Sequence, residues 1–330
     1  MDISIIIVNW NTKDLLAECL RSIQSQTLNY TYEIIVVDNG SEDGSQQIVS
    51  REFPTVTLVE NKLNLGFGKA NNIGLQSAKG RYICFVNSDI EMIDGCLQLL
   101  TQYMDDNHSV GMAGPQILYP DLSIQDSCRR FPSIWRSFCT AFKLDRIFPT
   151  CALLSGEHMF YFSHTKEIKP DYLAGCLLMA RKTALDEVGA FDERFFIYAE
   201  EVDLAKRFWD SGWELAFVPQ AKAVHHHAGS SSRDPLRFLL AQQKSGFQYW
   251  LKHHNLLAVV AQVAILFAKY FLQIIVASLF YLFSSRHRGF LARKIHINAV
   301  LIQALWMHLF KNLSWRKLCS RTKRPTAPPI

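Results

Sequence analysis

Three short runs, apolar except for Ser4 and Glu33, restrict the fold of this chain more than any other feature. They are Ile3–Val8, Tyr32–Val37 and Tyr82–Val86. A short continuous apolar run is typical of a strand that is buried on both faces. Segments with helical periodicity, each of about a dozen residues, separate these runs. The alternation predicts βαβ units, and therefore an α/β fold with a Rossmann-like, mostly parallel sheet flanked by helices.

Polar residues follow each of these predicted strands. Asn9 and Asn11 follow the first strand, Asp38 follows the second, and Asn87-Ser88-Asp89 follows the third. Open α/β sheets bind ligands beyond the carboxyl ends of their strands, so these side chains are candidates for a binding site. Taken alone, Asp89 is typical of a turn after a core strand. Asp38 is equally consistent with a turn that binds its own backbone and with a contact to the N3–H of uracil or thymine.

A glycine pair, Gly66 and Gly68, precedes a predicted helix. Backbone N–H groups at such a helix start can bind a diphosphate, although the glycines could equally serve only to shape a turn. The spacing is not that of a Walker loop, and Lys69 does not stand where a Walker lysine would.

Three acidic residues, Glu200, Glu201 and Asp203, fall in the first turn of another predicted helix. The helix dipole favours their charged forms. The aromatic residues of Phe191–Phe196 crowd the same stretch, and burial of this kind gives a carboxylate the pKa that a general base needs. The alternative is an ordinary helix start with an i,i+4 pair between Asp203 and Arg207.

Three consecutive histidines, His225–His227, follow the last predicted strand. An imidazole there could complete a divalent-metal site with Asp89. The alternative is a surface loop without a ligand.

The charge of the chain is strongly asymmetric. All thirty Asp and Glu residues lie in residues 1–234, and fourteen of the thirty-five Lys and Arg residues lie beyond them, which gives net charges of −9 and +14. A tail that is both basic and apolar favours an anionic membrane surface over nucleic acid as its partner. The eight cysteines form no C-x-x-C pair, which argues against a zinc ribbon or a disulfide framework. No signal peptide is predicted at Met1.

The apolar part of this tail is long. Leu256–Phe283 has 28 residues, more than the roughly 20 that span a bilayer. A shorter apolar stretch, Ile295–Phe310, follows, and basic residues lie between the two stretches and after them. With the first domain in the cytoplasm, helices that span the membrane would place basic residues on its outer side, against the tendency of basic residues to stay inside. We therefore expect helices that lie in the membrane interface or form a shallow re-entrant hairpin. The alternative is a helical pair buried against the first domain or in a homo-oligomer.

Five motifs occur in an order that resembles family 2 glycosyltransferases with the GT-A fold, and in particular bacterial rhamnosyltransferases. The resemblance covers roughly residues 3–231. The motifs are Asp38-Asn39-Gly40-Ser41, Asn64-x-Gly66-Phe67-x-x-Ala70-Asn71-Asn72-x-Gly74, Asn87-Ser88-Asp89, Gly189-x-Phe191-Asp192-Glu193-x-Phe195-Phe196 and Glu200-Glu201-x-Asp203-Leu204-x-x-Arg207.

The resemblance implies an inverting transfer of a sugar from a nucleotide diphosphate donor with a divalent metal, Mg²⁺ or Mn²⁺. By position, Asp38 corresponds to the residue that reads the base, and Asp89 to the last residue of a metal-binding D-x-D motif. His226 matches the spacing His-x-x-Gly-x-Ser of a histidine that binds metal or diphosphate. The other residues expected to contact the donor are Asn9, Asn11, Gly66, Lys69, Asn72, Asn87 and Ser88.

Two positions depart from the family pattern. Asn87 replaces the first acid of the D-x-D motif, which leaves one carboxylate for the metal. Glu201 stands where the family has its catalytic Asp, so Glu200 or Asp203 could share or take the role of base.

The sequence therefore predicts a nucleotide-sugar glycosyltransferase domain in residues 1–234 and a helical, membrane-associating tail in residues 235–330. The expected donor is a dTDP- or UDP-sugar, with L-rhamnose the first choice. The expected acceptor is a lipid-linked cell-envelope glycan at the cytoplasmic face of the bacterial inner membrane. One alternative is a catalytically inactive membrane-bound binding module. Another, a sugar-1-phosphate nucleotidyltransferase, needs a glycine-rich basic loop after the first strand, which Asn9-Trp10-Asn11-Thr12 does not supply.

Overall fold

The computed structural model describes residues 1–226, 235–283 and 286–312. The chain groups into two compact units, Met1–Ala241 and Gln242–Ile330. The predicted domain boundary after residue 234 adjoins residues 227–234, which lie outside the described part of the chain, so that boundary stays a prediction.

Strands and helices alternate in the first unit. The described residues form eleven strands: β1 (Ile3–Asn9), β2 (Tyr32–Asp38), β3 (Thr57–Glu60), β4 (Tyr82–Asn87), β5 (Ile90–Met92), β6 (Val110–Leu118), β7 (Ile124–Gln125), β8 (Cys128–Arg129), β9 (Tyr172–Leu173), β10 (Leu177–Arg181) and β11 (Glu214–His225). They also form eleven helices: α1 (Lys13–Gln24), α2 (Ser45–Glu52), α3 (Phe67–Leu75), α4 (Cys96–Asp106), α5 (Ile134–Ala141), α6 (Leu144–Ile147), α7 (Lys182–Val188), α8 (Glu200–Asp210), α9 (Pro235–His253), α10 (Leu256–Phe283) and α11 (Arg288–Asn312).

Nine of the described strands form one sheet, in the order β3-β2-β1-β4-β10-β6-β11-β5, with β7 paired to β6. The first four strands of this order run parallel, as predicted, and so do β6 and β11. The sheet is more mixed than the sequence suggested, because β10 runs antiparallel to both β4 and β6. An irregular segment, rather than a crossover helix, leads into β10. The neighbouring stretch 172–180 is divided between β9 and β10.

The three apolar runs form the centre of the core. β1 is flanked by β2 and β4, and the Ile side chains of β1 are fully buried on both faces of the sheet. Full burial of one such side chain stabilises the fold by about 1.5–3 kcal/mol. The same register brings Asn9 opposite Asp38 and Val8 opposite Asn87, so the polar ends of all three strands lie at one edge.

In the second unit, α10 and α11 pack together, with the rings of Phe267 and Trp306 meeting edge to face at 6.3 Å. One described helix, α10, is long and apolar enough to cross a membrane by length and composition, and only 6% of its most apolar 18-residue window is buried. Its exposed side chains include Leu272, Leu279 and Phe283. A continuous apolar surface therefore faces outward along α10.

Candidate active site

A cavity of about 280 Å³ opens at the carboxyl ends of β1 and β4. Three polar residues that follow β4 or close it line this cavity, as the sequence predicted: Asn87, Ser88 and Asp89. The Ser88 hydroxyl is 2.7 Å from the hydroxyl of Thr12, which joins the loop after β4 to the start of α1. The cavity therefore lies at the sheet edge that the strand ends predicted.

Asp89 is buried in the cavity wall, and an imidazole lies directly beside its carboxylate. The Oδ1 atom of Asp89 is 3.3 Å from Nε2 of His225. Antiparallel pairing of β5 with β11 sets this contact, because it puts His225 opposite Ile90, the residue that follows Asp89. The other ring nitrogen of His225, Nδ1, is 3.2 Å from Oε1 of Gln125.

The structure does not bring His226 and Asp89 together through their side chains, contrary to the predicted pair. The imidazole of His226 is 3.1 Å from the Glu91 carboxylate, and only its backbone N–H donates to the Asp89 carbonyl, at 3.0 Å. Successive side chains along an extended segment point to opposite sides, so only one of two neighbouring histidines can face Asp89. That residue is His225. Gly229 and Ser231 of the predicted histidine motif lie outside the described residues.

The Asp89–His225 pair suits a divalent cation only in part. Ligands at adjacent corners of an octahedral ion are about 3 Å apart, since each lies roughly 2.1 Å from the metal, and the observed 3.3 Å between Oδ1 and Nε2 is close to this edge. Among the described residues, no cluster of three or more His, Cys, Asp or Glu side chains forms a complete protein site. Donor phosphates and water would have to supply the remaining ligands, as Mg²⁺ commonly accepts.

The loop after β2 turns Asp38 away from the cavity. Its carboxylate accepts hydrogen bonds from the Asn9 side chain at 2.9 Å, the Ser41 backbone N–H at 2.9 Å and the Gln46 side chain at 2.7 Å. Asp38 is 1% exposed. Asn9 and Asp38 therefore hold the loop together, and the structure does not bring either to the cavity. The neighbouring Asn39, not predicted as a site residue, lies in the cavity wall instead.

Asn11 also has a structural role in this loop. Its backbone is left-handed, with φ of 56°. Its N–H donates to the Ser41 hydroxyl at 2.9 Å, while its side-chain oxygen accepts from the Glu42 N–H at 2.8 Å. Asn11 thus fixes the turn from β1 into α1.

Gly66 lines the cavity, as predicted, and no other residue type fits there. Its φ is +89°, and a Cβ atom would lie 2.3 Å from the carbonyl oxygen of Phe196. The same carbonyl accepts a hydrogen bond of 2.9 Å from the Phe67 N–H. Tyr198 and Ala199, just beyond, have φ of 65° and 70°, and such strained residues cluster at functional sites. The loop 196–199 is thereby held against the glycine turn.

Lys69 and Asn72 are not brought to the cavity. The ammonium group of Lys69 is 3.1 Å from the Glu193 carboxylate on the surface. The Asn72 side chain donates to the Phe191 carbonyl at 2.8 Å and accepts from the Phe191 N–H at 3.0 Å. Both residues tie α3 to the segment that leads into α8.

The acidic start of α8 contains two adjacent carboxyl groups with raised pKa values, and one of them, that of Glu200, lacks a partner for one of its oxygens among the described residues. Glu200 is 4% exposed, and its Oε2 has no hydrogen-bond partner among the described residues. Burial raises the pKa of Glu200 well above its usual range, and the adjacent Glu201 charge adds to the effect. Burial also raises the pKa of Glu201. Gly175 lies close to Glu201, because a Cβ at 175 would be 3.3 Å from the Glu201 side chain.

Asp203, on the same turn, is fully satisfied. It is 0% exposed, and Nε of Arg207 donates to its carboxylate at 2.9 Å. Arg207 in turn donates to the backbone carbonyls of residues 188–190 at 2.7 Å. The alternative reading of Asp203 as an i,i+4 ion pair is thus the one that the structure supports.

Several cavity residues were not among the predicted site residues: Trp10, Asn39 and Tyr198. His225 belongs to the triple histidine that the sequence indicated, but His226 was the residue predicted to bind the metal. Trp10 and Tyr198 stand beside predicted site residues, so their neighbours in sequence were a usable signal. For His225 the signal was strand alternation, which requires knowing where β11 ends.

Comparison with known proteins identifies relatives of the chain. The model of the family "Glycosyl transferase family 2" matches residues 4–168. The N-acetylglucosaminyl-diphospho-decaprenol L-rhamnosyltransferase of Mycobacterium tuberculosis is 30% identical over 247 residues, which are 67% of this chain and 75% of that protein. Rhamnosyltransferase WbbL of Escherichia coli K12 is 27% identical over 239 residues, 69% of this chain and 85% of that protein.

Two solved structures share the fold. Mannosyltransferase PcManGT from Pyrobaculum calidifontis, in complex with GDP-Man and Mn²⁺, has a TM-score of 0.54 and 18% identity, over 94% of this chain and 87% of that chain. GalNAc-T7 with UDP, GalNAc and Mn²⁺ has a TM-score of 0.53 and 17% identity, over 73% of this chain and 47% of that chain. They confirm the predicted GT-A fold class.

Proposed function

The chain belongs to glycosyl transferase family 2, and we propose that it transfers L-rhamnose from a nucleoside diphosphate donor to a hydroxyl group of a lipid-linked cell-envelope glycan. The chain is a glycosyltransferase by its family and relatives. The choice of L-rhamnose rests on the names of the two rhamnosyltransferases. The donor nucleotide is dTDP or UDP.

The observation that carries this proposal is the Asp89–His225 pair at the cavity edge. A carboxylate and an imidazole at 3.3 Å can hold one face of a divalent cation, Mg²⁺ or Mn²⁺. Mn²⁺ is present in the two solved structures that share the fold. Such a cation, when bound, neutralises negative charge on the departing nucleoside diphosphate. Phosphates of the donor would complete the coordination of this cation in the cavity that Asn87 lines.

Glu201 is the proposed general base. An acceptor hydroxyl oxygen forms a bond to the anomeric carbon while the bond from that carbon to the donor phosphate breaks, and Glu201 takes the hydroxyl proton. A single displacement of this kind inverts the anomeric configuration and needs no protein nucleophile. Gly175 leaves space beside Glu201 for an approaching acceptor, since no side chain fills that position.

A panel of nucleotide sugars tests this function with the full chain. We expect dTDP-L-rhamnose or its UDP counterpart to raise the melting temperature in the presence of Mn²⁺, and EDTA to remove the effect. Slow donor hydrolysis should follow the same metal dependence. If no nucleotide sugar in the panel is bound, the proposed reaction is wrong. Binding without hydrolysis or transfer would instead favour the inactive binding module, which the single carboxylate of Asn87-Ser88-Asp89 makes a serious alternative.

The tail supports a membrane location for this reaction. The outward apolar surface of α10 and the absence of Asp and Glu after residue 234 fit an anionic bilayer, and we propose the cytoplasmic face of the inner membrane. Phosphatidylglycerol vesicles should bind the chain more tightly than phosphatidylcholine vesicles, and replacing Arg286, Arg288, Arg293 and Lys294 by Gln should reduce that difference. Equal weak binding together with concentration-dependent self-association would favour the homo-oligomer instead.

A further inference from the structure

We propose that Gln125 is a positioning residue for the metal-binding form of His225. Its side-chain oxygen accepts the Nδ1–H of the imidazole, which leaves the Nε2 lone pair directed at the cation held with Asp89. This inference rests on the proposed function and extends it, because Gln125 belongs to a segment from which the sequence predicted no chemistry.

The geometry of the three side chains carries this inference. Oε1 of Gln125 is 3.2 Å from Nδ1 of His225, and Nε2 of the same ring is 3.3 Å from Oδ1 of Asp89. Gln125 and His225 are each 8% exposed and Asp89 is 7% exposed. The imidazole thus lies between an amide and a carboxylate, and all three side chains are buried. In such a site the hydrogen-bond partner of one ring nitrogen determines whether the other nitrogen carries a hydrogen or a lone pair.

The chemistry follows from the donors and acceptors. In a neutral imidazole one nitrogen carries the hydrogen and the other has the lone pair. An amide oxygen accepts only, so Nδ1 carries the hydrogen when it faces Oε1, and Nε2 then presents its lone pair. The Asp89 carboxylate also only accepts, so in this neutral form of the ring the two groups at 3.3 Å repel each other unless a cation lies between them. A histidine that binds a metal usually donates its second N–H to such an oxygen.

Glutamine is suited to this position because its amide can also turn over. With the NH₂ group towards Nδ1, it donates to the ring, and Nε2–H then donates to Asp89, which is the favourable arrangement without a cation. By rotating its amide, Gln125 can therefore stabilise one tautomer of His225 without the metal and the other tautomer with it. A glutamate at position 125 would accept from Nδ1–H both with and without the metal. An apolar side chain would stabilise neither tautomer.

The backbone fixes Gln125 at this point. β7 pairs with β6, with Gln125 opposite Ile117, and on its other side β6 puts the same Ile117 opposite Ala223 of β11. His225 lies two residues further along β11, on the same face as Ala223. The short hairpin after β6 therefore aligns Gln125 with His225 across one intervening strand.

The test measures Mn²⁺ binding by the full chain, by electron paramagnetic resonance with saturating UDP or dTDP. Gln125→Leu should weaken Mn²⁺ binding about 10–100-fold, while Gln125→Glu should retain or tighten it. Nucleotide binding in EDTA should stay unchanged in both variants. The matched control is Gln116→Leu, which removes a buried amide of β6 that donates to the His164 carbonyl at 2.7 Å.

Each outcome decides one point. If Gln125→Leu and Gln116→Leu bind Mn²⁺ as tightly as the wild type, Gln125 has no positioning role and the metal site remains. If Gln125→Leu and Gln116→Leu weaken binding equally, the effect is structural and the inference is wrong. If the wild type itself binds no Mn²⁺ with nucleotide present, the proposed metal site fails and the inference fails with it.

Discussion

The loops after β2 and after β4 have similar positions in the fold, but their aspartates have different surroundings. Each follows a buried strand, each carries an aspartate, and both lie at one edge of the sheet. Asp38 accepts three hydrogen bonds from its own chain, whereas Asp89 faces a cavity and an imidazole. A carboxylate whose acceptor positions the chain already fills has little left for a ligand. The two loops teach that hydrogen-bond satisfaction, rather than position in the fold, separates a structural acid from a candidate functional one.

The same contrast occurs within one turn of α8. Asp203 is paired with Arg207, while Glu200 has an oxygen without a partner in the described structure. Burying a carboxylate without partners is unfavourable, so a fold retains one mainly where function requires it. This comparison predicts that removing the satisfied acid Asp203 affects stability, and that removing one of its neighbours Glu200 and Glu201, whose pKa values are raised, affects catalysis.

The largest effect is expected at Glu201. Glu201→Gln should lower kcat by about 10²–10⁴-fold, the usual contribution of a general base, because the amide cannot take the acceptor proton. Donor binding, measured by the thermal shift with nucleotide sugar and Mn²⁺, should be unchanged. Since burial raises the pKa of Glu201, the wild-type kcat should rise with pH through a range above that of an ordinary glutamate.

Glu200→Gln is the matched control for this prediction. It changes the neighbouring carboxyl to the same amide, and we expect a smaller loss of kcat. A larger loss in Glu200→Gln than in Glu201→Gln would assign the base to Glu200 and contradict our choice.

A loss of stability is expected at Asp203. Asp203→Asn leaves the Arg207 guanidinium without its carboxylate in a buried site, and losing one partner of such a pair costs about 3 kcal/mol. Thermal unfolding should show this loss, while kcat of the folded fraction stays near that of the wild type. A stable variant with abolished turnover would contradict the structural role of Asp203, because this residue would then have a catalytic role.

The sequence was sufficient for features that depend on local pattern. Mostly apolar runs located β1, β2 and β4, and the polar residues after β4 do line the cavity. The acidic start of α8 was also predicted, since charge and periodicity along one helix are readable without tertiary contacts. The predicted roles of these residues stay predictions.

Features that depend on strand pairing could not be read from the sequence. The direction of His225 and His226 is decided by the pairing of β5 with β11, and β5 has only three residues. The inward turn of Asp38 depends on Asn9 and Gln46, which reach it from β1 and α2. Such contacts between distant residues leave no periodic signal in the chain.

A moderate effect on stability is expected at Asp38. Asp38→Asn replaces either Oδ1, which accepts from both Ser41 and Gln46, or Oδ2, which accepts from Asn9, with an NH₂ group that cannot accept. At least one buried donor then loses its partner, at a cost of about 1–3 kcal/mol. The affinity for UDP and dTDP should change little when measured well below the melting temperature. A selective loss of nucleotide binding without loss of stability would restore the predicted base-reading role of Asp38.

The smallest effect is expected at Glu157, whose carboxyl group also has a raised pKa but lies outside the cavity lining. Burial raises its pKa to about 7, and the hydroxyl of Ser137, at 3.3 Å, and the charge of Arg136 only partly oppose this. The folded state therefore holds a proton that the unfolded state has released, and stability falls as pH rises from the ordinary glutamate range to about 7.

Glu157→Gln cannot ionise, so it should remove this part of the pH dependence. The variant should match the wild type near pH 5 and be more stable by about 1–2 kcal/mol at pH 8. Thermal unfolding at both pH values measures the difference, and Ser137→Ala, which removes only the hydroxyl, serves as the control. If Glu157→Gln also lowers kcat, an acid with a raised pKa indicates a functional residue even away from the cavity. The segment between β8 and β9 would then belong to the functional part of the molecule. If Glu157→Gln changes stability alone, an acid with a raised pKa indicates function only where it also lies at the cavity wall or at the start of α8.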